Sequence, residues 1–499
     1  MSLSKIWSKL CRRSLSSPSD KKPILSDLTL HMRSTLWPIA AVTLLGGVLF
    51  VGYSSSNVAS AAGPQGHYAV GAGSLNARER TFAPQSPIEA TADAEVVRAR
   101  AKLDVGQTYP LPNLERVELT VSARGSPELR SLPRFNTRFN NKIAGLSARD
   151  EYIFYTLNSE LQEFAERMVS GARAPHVAVV AMDPRTGRIL AIAGKSKTIK
   201  DIPLHAKFPA ASLFKLVTTT AALEKSPIGP LTPVAYRGGN YTLNRWNYLP
   251  NPKSDRRKMS LAEALGKSCN PVFARVALRY LNSGIIRQYA QLFGFNKNLG
   301  FDSALTTSVA AIPENDPYEL GRTAAGFGEV KLSPIHAAVL VSGIANNGIL
   351  PRPMLIDKVV DRRGTVLYRA SPEMLNNVMQ PVTARTLLKM MEFTTTIGTS
   401  RNEFVNKHRK VLGPIDVAAK TGTLNGSDPE GINHWFVAAA PIQNPQIAVA
   451  IIVVDPPRRG AKAAHLGKQM IEQYLNRPQK VLATPRIAGA AGAPRFARR

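Results

Sequence analysis

Three short strings carry residue types able to do covalent chemistry: Ser212-Leu213-Phe214-Lys215, Ser268-Cys269-Asn270 and Lys420-Thr421-Gly422-Thr423. In the first, a serine and a lysine lie three apart in an apolar stretch, 208–224, whose pattern predicts a helix. Residues three apart share a helix face. Pro209 suits a first helical turn, so Ser212 falls near the helix N-terminus, where the dipole favours negative charge on a serine oxygen. A lysine set among Leu, Phe and Val is poorly solvated, which lowers its pKa and lets it hold a neutral amine. Such an amine within reach of a hydroxyl can take its proton and turn the serine into a nucleophile.

Each string alone is weak. Ser-x-x-Lys also occurs at Ser2/Lys5 and Ser19/Lys22, and a lysine on a core helix can simply extend its ammonium to water. Ser-x-Asn begins at Ser55, Ser74, Ser268 and Ser400. Lys-Thr-Gly occurs once, after the strand-like "IDVAA".

The elements that must position these residues follow from periodicity. "LNSELQEFAERMV" (157–169) has helical period. "HVAVVAMDPRTGRILAIAG" (176–194) places two apolar runs around an Asp-Pro-Arg-Thr-Gly turn and predicts a β-hairpin. A second such unit spans 434–456, and a last helix near 462–476 should pack back on the sheet. Between the hairpins the pattern is mostly helical. Strands at both ends with helices between them indicate an α+β fold around an antiparallel sheet.

Upstream, Leu36–Tyr53 holds 18 residues without a charge, near the minimum for a bilayer span. Seven Lys/Arg precede it, against Asp20 and Asp27, which places residues 1–35 in the cytoplasm and the rest outside. Ala59-Ser60-Ala61 has the form of a signal cleavage site, but the leading basic region is long for a signal, and an uncleaved anchor is the expectation. Residues 54–90 are rich in Ser, Ala, Gly and Pro and read as a linker; 91–150 reads as a small pedestal, with a helical run near "ADAEVVRARAKL" and alternating apolar residues in "LERVELTVSA". Residues 477–499 form a basic, disordered tail.

The formal net charge is +29, which favours anionic polymers as partners. No zinc-finger spacing and no RNA-binding aromatic-glycine pattern supports nucleic acid. Cys11 and Cys269 make no disulfide framework, and no Cys/His metal cluster is present in the sequence.

Taken in order, Ser-x-x-Lys, Ser-x-Asn and Lys-Thr-Gly-Thr resemble the three signatures of penicillin-binding proteins and serine β-lactamases. "AMDPRTGRILAIAG", "SLAEALGKSCNPVFARVAL", "AAGFGEVKLSPIHAAVLVSGIANNGILPRP" and "AAKTGT…HWFVAAAPIQNP" extend the resemblance to the transpeptidase domain over about residues 150–475. Within that context Ser268 and Asn270 are selected over Ser400, because Pro271 can start a helix with Asn270 as its cap.

The resemblance implies a transpeptidase-like antiparallel sheet flanked by helices, an all-helical subdomain, no cofactor and no metal. It implies that Ser212 attacks the carbonyl of a D-Ala-D-Ala peptide bond, with Lys215 as the base. Ser268 would relay a proton to the leaving nitrogen and bridge the two lysines. Asn270 would bond the substrate amide, Lys420 would supply positive potential, and Thr421 and Thr423 would hold the terminal carboxylate. The N–H groups of Ser212 and Thr423 would form the oxyanion hole. Gly422 would leave room for the substrate strand. Gly326-Phe327-Gly328 resembles a loop near the active site, and His434 and Trp435 would line the rim or pack in the core. Ala211 departs from the glycine often found before the nucleophile, and Cys269 is assigned only packing.

The implied activity is a membrane-anchored peptidoglycan D,D-transpeptidase of the periplasm, inhibited by β-lactams. A separate glycosyltransferase would be its partner, because the stretch before 150 is too short for that domain. A D,D-carboxypeptidase or endopeptidase, a β-lactamase and a non-catalytic sensor are the alternatives.

Overall fold

A computed structural model describes residues 113–455 and 463–476. The apolar stretch 36–53, the linker 54–90, the helical run near 92–103 and the tail 477–499 lie outside the described residues. Among those described, no helix is long and apolar enough to cross a membrane.

The main sheet comprises β1 (His176–Met182), β2 (Ile189–Ser196), β3 (Ala418–Ser427), β4 (Glu430–Ala440) and β5 (Ile447–Asp455). Its order is β3-β4-β5-β1-β2, with every neighbouring pair antiparallel. The two hairpins therefore join: β5 of the second pairs β1 of the first, with Val449 opposite Ala181 and Ile451 opposite Val179. Every residue of β1 and β5 is buried, which is why their Val, Ile and Ala runs do not alternate with polar residues.

The helices that matter to the site are α1 (Ser159–Gly171), α2 (Lys215–Lys225), α3 (Leu261–Gly266), α4 (Asn270–Tyr280), α5 (Pro334–Ala345), α6 (Pro381–Thr396) and α7 (Ala463–Leu475). One face of the sheet packs on α5, whose residues are all buried; the other packs on α1 and α7. In α1 the buried Leu161, Ala165 and Val169 recur every four residues, and the Asn158 side chain caps the helix by accepting from the Leu161 N–H. Helix α7 approaches so closely that a Cβ at Gly467 would lie 2.3 Å from the Phe436 ring. The edge strand β3 lies against α6. An edge strand leaves one row of backbone groups unpaired within the sheet, and this is the strand that carries Lys420-Thr421-Gly422-Thr423.

A second sheet pairs Lys142–Ser147 with Tyr152–Tyr155, and that strand with Ile356–Val360 from far along the chain. Residue 150, the expected boundary, falls in the tight turn between two paired strands, with Asp150 at φ +60°. The hairpin around residue 150 is local, while the pairing with Ile356–Val360 is remote in sequence and leaves no local signal.

Candidate active site

The chain enters the site through a two-residue strand, Phe208–Pro209, which pairs with Val330–Leu332. Pro209 thus lies in a strand rather than in a first helical turn. Ala211 to Phe214 then form a 3-10 turn that leads into α2. With three residues per turn, positions three apart eclipse, so Ser212 and Lys215 stand one above the other. The Lys215 ammonium nitrogen lies 2.8 Å from Ser212 Oγ.

Lys215 is completely buried. Its Nζ also donates to Asn270 Oδ1 (2.7 Å) and to the Ala325 carbonyl, and sits 5.5 Å from the centre of the Phe273 ring. Burial first, and then the neighbouring Lys420, hold its pKa well below the usual lysine value.

Ala211 has φ +50°, a left-handed conformation that glycine adopts freely and that costs alanine about 1 kcal/mol. The glycine common in the resembling family fits this position, and alanine holds the same turn under strain. Strain of this kind gathers at functional sites.

Ser268 shows the same device. Its N–H donates to the Leu265 carbonyl (3.2 Å), and the Cys269 N–H to the Ala264 carbonyl (2.9 Å). These are the two bonds of a Schellman motif closing α3, whose left-handed residue is usually glycine. Here it is Ser268, at φ +56°. The chain reverses at this residue and starts α4 two residues later. Cys269, not Asn270, is the N-cap residue, and Asn270 is the first residue of the helix. The Cys269 side chain is buried in the core, as packing alone requires.

The hydroxyl of Ser268 accepts from Lys420 Nζ (3.0 Å), which also donates to the Thr421 carbonyl (2.7 Å). The expected bridge through Ser268 is therefore half present. It reaches Lys420, while Lys215 is held by Ser212, Asn270 and Ala325. The Asn270 amide is oriented by its other end, where Nδ2 donates to the Tyr241 carbonyl (2.7 Å). Lys420 is buried, and desolvation lowers its pKa to about 7. Ser400 and Asn402, the alternative Ser-x-Asn pair, line the same cavity, but the Ser400 hydroxyl is turned to the Thr394 carbonyl (3.1 Å).

These groups open on one cavity of about 690 Å³ lined by Ser212, Ser268, Asn270, Thr421 and Thr423. Tyr241, Phe327, Thr399, His434 and Trp435 line it too. The Thr399 hydroxyl bonds that of Thr421. Nothing in the sequence pointed to Thr399 or Tyr241, because a lone hydroxyl or carbonyl carries no spacing signal. Trp435 is both rim and core: its Nε1 donates to the Pro209 carbonyl (2.8 Å) and its ring meets Phe208 edge-on.

Gly422 has a different reason from the one expected, and Gly326 lies in the loop expected near the active site. A Cβ at Gly422 would sit 3.2 Å from the Ala211 Cβ and 3.3 Å from the Trp435 Cβ, so it would push on the serine turn rather than on an incoming strand. Gly326 has φ +96°, and a Cβ there would lie 2.2 Å from the Ala211 carbonyl oxygen. Its loop is wedged against the serine turn. We expect Gly326→Ala to slow acylation of Ser212 at least about tenfold while circular dichroism stays native, since clash and strain at a positive φ fall on the reacting turn.

The string Glu472-Gln473-Tyr474-Leu475-Asn476 has the Glu-x-x-Leu-Asn form of a β-lactamase deacylation motif. It closes α7, and Glu472 is not among the cavity-lining residues.

A buried, deprotonation-prone lysine on a serine hydroxyl, with a second lysine on a second hydroxyl, defines a site for serine-based acyl transfer on an α+β scaffold. Residues 177–472 match the penicillin binding protein transpeptidase domain, and the chain belongs to that family. It is similar to the peptidoglycan D,D-transpeptidase PbpA of Mycolicibacterium smegmatis, with 28% identity over 411 residues, 74% of this chain and 80% of that protein. The Mycobacterium tuberculosis PbpA is likewise 28% identical, over 68% of this chain and 76% of that protein. Among solved structures, a D,D-transpeptidase domain from Eggerthella lenta superposes with a TM-score of 0.55 at 23% identity, covering 72% of this chain and 97% of that one. A ceftriaxone acyl-enzyme complex of M. tuberculosis penicillin-binding protein A gives 0.53 at 24%, covering 66% and 80%.

Proposed function

We propose that this chain is a serine-type peptidoglycan D,D-transpeptidase whose nucleophile is Ser212. The observation that carries the reading is the buried Lys215 amine, 2.8 Å from Ser212 Oγ and held below its usual pKa. Lys215 takes the serine proton as Ser212 Oγ bonds to the penultimate D-Ala carbonyl of a stem peptide. Collapse of the tetrahedral adduct breaks the C–N bond and leaves an ester on Ser212. Ser268 accepts from Lys420, so its own hydroxyl hydrogen is free to go to the leaving nitrogen while Lys420 replaces it. A pKa near 7 suits Lys420 to that donation. Thr421 and Thr423 hold the terminal carboxylate. The amine of a second stem peptide then attacks the ester and passes its proton through Ser268 to Lys420. The ester C–O bond breaks and Lys215 returns its proton to Ser212, which forms the cross-link and restores both lysines. The edge position of β3 lets the stem peptide lie beside it as an added strand. The uncharged stretch 36–53 supports a single-pass anchor in the inner membrane with the catalytic domain in the periplasm, and a separate glycosyltransferase would supply the glycan strand.

Intact-mass measurement of the full chain with penicillin, followed over time, is the first test. A stable single adduct, with cross-linked product from a donor peptide and an acceptor amine, is the expected result. Release of D-Ala without cross-linking would mark a carboxypeptidase, a fleeting adduct with drug hydrolysis a β-lactamase, and no adduct a sensor.

The pH dependence has a definite sign. Acylation needs Lys215 neutral and is helped by Lys420 protonated. In the free protein Lys420 loses its proton as pH rises through about 7. The second-order acylation constant for a carboxylate-bearing β-lactam should therefore fall above that pH. Lys420→Arg keeps its charge and should remove this alkaline limb. A limb that survives the substitution belongs to another group.

A further inference from the structure

We propose that the loop 237–256 is a docking platform for the anionic glycan-peptide polymer itself, beyond the terminal dipeptide that the cavity holds. The inference rests on the function proposed above and extends its substrate contact outward from the cavity.

The loop joins the strands Pro233–Tyr236 and Arg257–Ser260 and contains no helix or strand. It is nevertheless fastened from beneath. The Asp255 carboxylate accepts from Arg275 (2.8 and 3.0 Å) and from Arg237 (3.0 Å). The same guanidinium groups donate to the Asn247 carbonyl (3.0 Å), to the Leu249 carbonyl (3.0 and 3.2 Å) and to the Trp246 carbonyl. All three charged side chains are nearly buried, at 3–10% exposure. Arg275 belongs to α4, the helix that begins with Asn270. The Tyr241 carbonyl holds the Asn270 amide, and Tyr241 lines the cavity. The platform and the reacting groups thus share one frame.

Its outer surface is unlike an ordinary loop. Tyr241 is 65% exposed, Trp246 60% and Leu249 44%. The Trp246 ring is fixed by the Arg237 guanidinium, 5.0 Å from its centre. Between residues 237 and 258 Asp255 is the sole acid, and its charge is spent inside on the two arginines. Arg245, Lys253, Arg256, Arg257 and Lys258 are exposed, so the outward charge is all of one sign. Ring faces accept the C–H faces of pyranoses, and the cations accept stem-peptide and lactyl carboxylates. Exposed aromatic groups held rigid lose little entropy on binding. Charge complementarity and continuity with the cavity select the polymer strand as the occupant.

The test is co-sedimentation of the full chain with purified peptidoglycan at low and high salt, beside the rate of penicillin acylation. Trp246→Ala, and separately Lys253→Glu with Arg256→Glu, should each weaken sedimentation about tenfold and leave acylation within about twofold. The charge-reversed variant should also lose most of the salt dependence of binding. Unchanged sedimentation overturns the proposal, as does joint loss of sedimentation and acylation, which marks a structural role. Loss of binding to anionic lipid vesicles with peptidoglycan binding retained also overturns it, in favour of a membrane surface. A wild-type chain that sediments but is not acylated would fail the transpeptidase reading and leave the platform standing.

Discussion

Ser212→Ala forms no covalent penicilloyl adduct, and its acylation rate falls at least about 10⁴-fold, the scale at which loss of a nucleophile leaves only binding and polarisation. The prediction follows from geometry and not from the motif alone. The string at Ser212 has its hydroxyl on a cavity wall and its lysine buried, and the other two Ser-x-x-Lys strings lie outside the described residues. The variant should keep its fold. Losing Ser212 Oγ removes one contact of Lys215 Nζ, and that amine keeps its bonds to Asn270 and Ala325. An adduct on Ser212→Ala would move the nucleophile elsewhere, with Ser268 the next hydroxyl in the cavity.

Lys215→Met keeps most of the side-chain volume and removes the base. Acylation should drop about 10³-fold, within the range for a positioned general base. Stability supplies the control. In the folded protein Lys215 binds its proton less readily than in the unfolded chain, whose lysine titrates near 10.5. The unfolded state then carries more protons in the window between the two pKa values, so wild-type stability rises with pH across it. The methionine variant lacks that contribution. It also leaves Asn270 Oδ1 and the Ala325 carbonyl without their donor, at about 1–3 kcal/mol for each buried acceptor. Wild type should therefore gain on the variant as pH rises toward 10.5. A difference in unfolding midpoint that is flat with pH would mean that Lys215 is not held neutral by burial.

The chemistry was legible in the sequence because it is local. Ser212 and Lys215 meet across one turn, and a three-residue spacing gives that contact wherever the segment is helical. The hairpin 176–194 and the helix over 157–169 were legible for the same reason. Where the sequence reading went astray, the deciding contact was distant. Pro209 suits a helix start, but pairing with Lys331 makes it strand. Gly422 suits an open approach, but its Cβ position faces Ala211 and Trp435. Ser268 was expected to touch both lysines, and the αL turn closing α3 aims its hydroxyl at Lys420.

By itself the sequence determined which residue types could react and which elements could carry them. Period, cap and turn signals depend on neighbours a few positions away. Only the tertiary structure decided which serine faces which amine, because Ser212, Ser268 and Lys420 are joined through strand and helix packing across more than 200 residues. It also decided the protonation of the lysines. A lysine's charge state is set by how much water it loses, and burial of Lys215 and Lys420 comes from chain segments with no spacing relation to either.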